Sequence, residues 1–210
     1  MAVSWPNGLE FHTVAEAKEF LERFTALIIE EAKFAQQRNV EFFSLGEPDH
    51  LLPNSRDQER AALVNWFKGY VLPKLRAVYN GKVYYQIGDA VVWDFTKLNA
   101  SGLDFFGVLI GGECNLEQFK QTVDNVYAKA EQLASEQNTP WVISELWINK
   151  RYEDCTVERE PYYEYIFSKP SRHLIGIMID TWNVDEPGFE TSIKGTPAEQ
   201  VIEDFFAEWR

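Results

Sequence analysis

Two glutamates sit where an apolar run gives way to a polar segment: Glu47, after Val40–Gly46, and Glu145, after Trp141–Ser144. A carboxylate at the end of an apolar strand is costly to hold unless it is solvated or paired. Either residue alone reads as an ordinary loop carboxylate, because charged residues are common in loops. As a pair they offer more. Two carboxyl groups in unlike surroundings can hold unlike protonation states, one giving up a proton while the other stays ionised. What matters is which elements bring positions 47 and 145 together.

Four helices are marked by a Ser, Thr or Asn cap followed three residues later by Glu or Gln, a pattern that satisfies orphan backbone groups at a helix start. Thr13 with Glu16 opens the first, whose Ala17, Phe20, Leu21, Phe24, Ile28 and Ala32 recur at helical spacing to about Arg38. Ser55 with Gln58 opens a second toward Tyr79, with a kink or break expected at Pro73, where a hydrogen bond is lost. Asn115 with Gln118 opens a third to about Gln137, and Thr196, with Pro197 and Glu199 behind it, opens the last. The Tyr162–Phe167 segment reads as a further short helix, and Asp89–Gly102 as a loop with a short helical turn.

Between the helices lie the runs Val40–Leu45, Lys82–Ile87, Leu103–Ile110, Trp141–Ser144 and Leu174–Thr181. They are apolar almost throughout, as expected of strands buried on both faces. Strand and helix in alternation imply parallel strands with right-handed crossovers, in either an open sheet or a closed barrel. Gly107, Gly111 and Gly112 lack the spacing of a dinucleotide or phosphate loop, which leaves the barrel ahead. In a barrel, chemistry sits at the carboxyl ends of the strands, where Glu47 and Glu145 both fall.

The whole chain, 1–210, reads as a single domain; 210 residues with 45% apolar content can bury a sizeable core. A formal net charge of −13 opposes binding to phosphate backbones and anionic lipid, so no nucleic acid or membrane partner is expected. The aromatic share of 15%, with seven Trp, favours a sugar-like ligand with an apolar face and a polar rim. Cys114 and Cys155 have no metal-ligand neighbours at useful spacing and read as two incidental thiols, with no metal or cofactor implied. No basic segment followed by an apolar run opens the chain. As given it reads as cytoplasmic, and as secreted if an export signal has been lost.

The segment Ser44-Leu-Gly-Glu-Pro-Asp49 resembles the Asn-Glu-Pro closing strand four of the clan-A retaining glycoside hydrolases, and Ser144-Glu145-Leu-Trp147 resembles the glutamate closing strand seven. Lys82–Ile87 and Leu103–Ile110 fall between them as strands five and six, and Gly176–Asn183 is similar to strand eight with its terminal Trp182. The resemblance implies a TIM-barrel-like α/β fold and a carbohydrate substrate cleaved by double displacement. Glu47 would be the acid/base and Glu145 the nucleophile, about 5–5.5 Å apart. Trp182, Trp147 and Trp93 would stack on sugar faces, with His50 and Gln86 as further cleft residues and Asp49 and Asp180 as secondary ones.

The sequence departs from that family at Gly46, where Asn is usual, and at Ile110-Gly-Gly112, where a Tyr commonly ends strand six. The first helix matches the one before strand four, so strands one to three have no counterpart and the barrel is expected to be partial, with open edges that offer self-association. A non-catalytic carbohydrate-binding or assembly protein on the same scaffold is the alternative reading.

Overall fold

The computed structural model of the protein describes residues 9–88, 90–148, 156–179 and 192–208. Among them the chain alternates helix and strand: α1 (Val14–Gln37), β1 (Phe42–Ser44), α2 (Asp57–Arg76), β2 (Lys82–Tyr84), β3 (Gln86–Ile87), β4 (Phe106–Gly111), α3 (Leu116–Gln137), β5 (Trp141–Trp147), α4 (Glu160–Phe167), β6 (Leu174–Ile179) and α5 (Pro197–Glu208). Short 3-10 turns cover Pro48–Leu51 and Phe95–Lys97.

Every strand pair is parallel, β1 with β2 and then β3, β4, β5 and β6 in order. β2 and β3 are two halves of one strand interrupted at Tyr85. Leu45 N–H donates to the Tyr84 carbonyl at 2.8 Å, Gln86 N–H to Gly46 at 3.0 Å and Gly107 N–H to Tyr85 at 2.9 Å, which carries the ladder across the break. The result is a parallel, TIM-barrel-like array of five strands with helices on its outer side. β1 and β6 are its edges among the described residues.

The burial pattern explains the continuous apolar runs. Phe43, Val83, Phe106, Val108, Trp141 and Ile143 belong to one large core, together with buried residues of α1, α2 and α3. Tyr84, Phe105 and Val142 form a separate small cluster. Tyr84 stacks on Phe105 at 4.7 Å, and Phe42 meets Phe105 edge-on at 5.8 Å. Apolar side chains are therefore needed on two faces, as in a barrel wall.

The helix caps differ in how they form. Thr13 and Glu16 make the reciprocal box, and the Asn115 side chain accepts from Glu117 N–H and Gln118 N–H. The second helix starts later than Ser55 predicts: Glu59 accepts from Arg56 N–H at 3.1 Å, so the register shifts by one residue. Pro73 does not break α2, which runs on to Arg76. The carbonyl facing the proline ring is that of exposed Gly69, which can turn toward water. Thr196 donates its hydroxyl to Ile193 O instead of capping, and Glu199 accepts from Gly195 N–H at 2.8 Å. Cys114 is disulfide-bonded, which corrects the expectation of an incidental thiol; Cys155, the only other cysteine in the sequence, lies outside the described residues.

Two carboxylates tie the amino-terminal ends of the strands together. Asp104, ahead of β4, accepts from Val83 N–H at 2.8 Å and pairs with Arg76 of α2. Glu131 of α3 accepts from Trp141 Nε1 at 2.8 Å and from Ser171 Oγ, and lies 3.0 Å from His173 Nδ1. Burial alone would raise the Glu131 carboxyl, but these donors outweigh it and hold it at about 2. A folded value below the ordinary one stabilises the fold above the unfolded carboxyl range, and this contribution fades as pH falls toward about 2. Glu131→Gln should lower stability by about 1.5–3 kcal/mol at pH 7. In urea titrations at several pH values, its difference from wild type should shrink below about pH 4.5.

Candidate active site

The carboxyl ends of β1, β3 and β5 meet at one place. β1 leaves through Leu45 and Gly46, whose φ of 78° lies in the left-handed region that a glycine adopts without strain. Glu47 follows, and Pro48 opens the 3-10 turn that carries His50. In such a turn side chains three apart eclipse one another, and His50 Nδ1 accordingly lies 2.7 Å from Glu47 Oε2.

Gln86 of β3 extends the group. Its Nε2 donates to Glu47 Oε1 at 2.5 Å and to Glu145 Oε2 at 3.1 Å. The separation of those two oxygens cannot exceed the sum of these distances, so Glu47 and Glu145 are neighbours. Glu145 reaches this point because of a β-bulge. Val108 pairs with Ile143 but Leu109 pairs with Glu145, so Ser144 is an extra residue on β5. Regular alternation would turn Ser144 and Glu145 to opposite faces. With the bulge, Ser144 packs over Gly107 while Glu145 still meets Gln86. Glu145 thus lies within β5, two residues before its end, and not after it as the apolar run suggests.

Glycines give the side chains room. A Cβ on Gly88 would come within 2.3 Å of the His50 ring and 2.6 Å of Glu47 Oε2, and one on Gly107 within 2.5 Å of Ser144 Cβ. On Gly111 it would come within 2.5 Å of the Trp147 indole, so half-buried Trp147 lies on the backbone at the end of β4. Beneath the carboxylates, burial and the Glu47 charge raise the Tyr84 phenol above its ordinary value, against a hydrogen bond with Ser44 that lowers it. Ser144 Oγ is buried with no partner among the described residues.

The predicted site residues divide. Glu47, Glu145, His50 and Gln86 converge, and Trp147 lies beside them on β5. Trp93 does not line a cleft: it is 2% exposed, edge-on to Phe95, with its carbonyl accepting from Lys129 Nζ at 2.8 Å. Burial in the core leaves it no open face for a sugar. Asp49 is likewise buried, where its charge bears on Tyr85 instead of on a cleft. Trp182 and Asp180 lie outside the described residues. Sequence reasoning missed Gly88 and the Ser144 bulge; a glycine closing a strand was the one available sign of a close approach.

No family model matches the sequence, and no curated protein does. Solved structures do match. A GH113 β-mannanase from Alicyclobacillus acidocaldarius superposes with a TM-score of 0.65 at 16% identity over 90% of this chain and 63% of its own. A GH113 β-1,4-mannanase gives 0.63 at 18% identity, with 91% and 63% covered. A β-glucuronidase from an uncultured Clostridium species gives 0.63 at 13% identity, with 89% and 36% covered. At these identities the likeness shows the fold alone, a parallel TIM-barrel-like α/β array that corresponds to part of each of these proteins. This chain spans about 63% of the length of the mannanases it matches.

Gly88→Ala should push His50 and Glu47 apart, with a loss of about 1–3 kcal/mol as in other overpacked sites. Thermal unfolding would show the loss, and a crystal structure of the variant should show the His50–Glu47 contact lengthened. An unchanged melting temperature would mean that the strand end relaxes freely.

Proposed function

We propose that this chain carries the catalytic pair of a retaining glycoside hydrolase acting on a β-linked oligo- or polysaccharide. The observation that carries the reading is the single Gln86 amide nitrogen shared by Glu47 and Glu145. That closeness suits retention, in which the carboxyl groups stand about 5–5.5 Å apart, better than inversion, which needs about 6.5–9.5 Å. The likeness to β-mannanases favours a β-1,4-mannan as the first substrate to try.

In this reading Glu145, ionised, attacks the anomeric carbon while Glu47 gives its proton to the departing glycosidic oxygen, which takes the bonding electron pair. Glu47 then removes a proton from water, whose oxygen displaces Glu145 from the covalent glycosyl-enzyme and regenerates both carboxyl groups. Trp147, held against Gly111, offers an aromatic face for a sugar ring. The Cys114 disulfide favours the secreted alternative for location, because disulfides persist in oxidising compartments.

Two observations favour a second reading. Gly46 has no side chain to hydrogen-bond a sugar hydroxyl, and the described array has five of a barrel's eight strands. A scaffold that binds glycan without cleaving it would share both features.

Hydrolysis of β-1,4-mannan by the chain, followed by NMR of the first-formed anomer, separates the readings. The expected product keeps the β configuration. Glu145→Ala should abolish turnover with mannan-oligosaccharide binding retained. Glu47→Gln should lower kcat by about 10²–10⁴-fold, and much less on an aryl glycoside whose leaving group needs no proton. Binding without turnover in the wild type would establish the second reading, and an α product would overturn retention.

A further inference from the structure

Gln86 directs both of its amide hydrogens at the carboxylates, Nε2 donating to Glu47 Oε1 at 2.5 Å and to Glu145 Oε2 at 3.1 Å. These contacts fix which way the amide points, because a reversed amide would set its oxygen against both glutamates. The residue has little freedom to move. Its backbone N–H donates to the Gly46 carbonyl at 3.0 Å, and the residue as a whole is 8% exposed. What remains is the carbonyl oxygen. Oε1 takes no hydrogen bond among the described residues, and it is not one of the polar atoms sealed there without a partner, so it keeps a path to the open ends of the strands.

An amide oxygen only accepts, so its partner must bring the hydrogen. The surroundings offer few donors. Gly46 and Gly88, at the ends of β1 and β3, carry no side chain, the ionised glutamates are acceptors themselves, and His50 turns Nδ1 toward Glu47 at 2.7 Å. A ligand is left to supply the donor.

We infer that Gln86 Oε1 accepts a hydrogen from a free 2-hydroxyl on the reacting sugar, which makes Gln86 a specificity-determining residue. The inference rests on the glycosidase reading, which puts the anomeric carbon between the Glu47 and Glu145 carboxyl groups. An amide touching both groups then lies beside that carbon and meets what its ring neighbours carry. One neighbour is the ring oxygen, which has no hydrogen to give. The other is C2, whose hydroxyl does. Oε1 therefore favours the ring orientation that turns the 2-hydroxyl toward β3, and hydrogen bonds to that hydroxyl strengthen in the transition state. The substrate class is a β-linked glycan whose reacting sugar is unsubstituted at the 2-oxygen. A 2-O-acyl or 2-O-alkyl group would bring an acceptor against an acceptor, which costs more than the loss of a bond.

The test is a cycle of two enzymes and two sugars. kcat/KM is measured for the wild type and for Gln86→Met on an aryl β-mannobioside and on the analogue lacking the 2-hydroxyl of the reacting ring. Each enzyme gives a ratio of parent to deoxy sugar. Comparing the two ratios cancels the intrinsic reactivity of the deoxy sugar, and it cancels any general slowing caused by loosening the carboxylates, which would affect both substrates alike. The expected ratio is larger in the wild type by at least about fivefold. A smaller difference overturns the inference.

If Gln86→Met fails to fold, the wild type decides by a crystal structure with a bound β-1,4-mannan oligosaccharide. The 2-oxygen of one sugar should lie about 2.6–3.0 Å from Gln86 Oε1, and no sugar hydroxyl within about 3.5 Å would overturn the assignment. That contact without hydrolysis would keep the role of Gln86 and remove the glycosidase reading. Hydrolysis with equal ratios in the two enzymes would do the reverse.

Discussion

Two carboxylates side by side repel each other by about 3 kcal/mol at 5 Å in an effective dielectric near 20. A fold that gathers Glu47 and Glu145 at one strand end must offset that cost, and the described structure does so through Gln86. Its amide nitrogen has two N–H donors, directed to one oxygen of each glutamate. The group lies on the strand between those that carry the two acids, in the half that resumes after Tyr85. A buried amide can bridge two anions without adding a charge. An amine in its place would pair with both and favour their ionised forms equally, whereas the acid and nucleophile roles proposed for this pair need opposite forms.

The rest of the local architecture follows from placing that amide. Gln86 is fixed at the backbone by donating to Gly46, so β1 and β3 cannot slip without separating Glu47 from its partner. The Ser144 bulge brings Glu145 back to the same face. Gly88 and Gly107 keep the space into which His50, Glu47 and Ser144 pack. At the other end of the strands, Asp104 and Glu131 anchor loops and strand starts through backbone and side-chain donors. The anchoring carboxylates lie at one end of the strands and the Glu47–Glu145 pair at the other.

The sequence exposed the features that depend on local chemistry. The Thr13–Glu16 box, the Asn115 cap and the apolar strands are short-range patterns, and each appears in the fold near its expected place. Glu47 and Glu145 were legible because charge at the end of an apolar run is unusual. Features set by neighbours were hidden. Nothing in Trp141–Trp147 announces that Ser144 is an extra residue, since the bulge exists only relative to β4. Trp93 has the same residue type as a sugar platform but is buried against Phe95, a difference made by the fold around it. His50 and Gln86 were placed in the cleft, yet their contact with the carboxylates requires knowing which atoms face one another. Cys114 could not be read as bonded from spacing alone.

The five-strand array also leaves apolar surface that its own helices do not cover. Phe42 on β1, Leu27 and Phe34 on α1, and Ile175, Met178 and Phe206 on β6 and α5 are exposed. β1 and β6, the two edge strands, each contribute to this set. Parallel strands with open edges leave unpaired backbone groups along their length, and closure into an eight-strand barrel is the arrangement that removes both edges at once. Glu47 follows the edge strand β1, Glu145 lies on β5, and Gln86 of β3, between those strands, bridges the two. The geometry of the pair therefore depends on contacts that the five strands supply themselves. The walls of any surrounding cleft depend on the flanks. Assembly of the carboxylate pair and closure of the array around it are in this way separable properties of the fold.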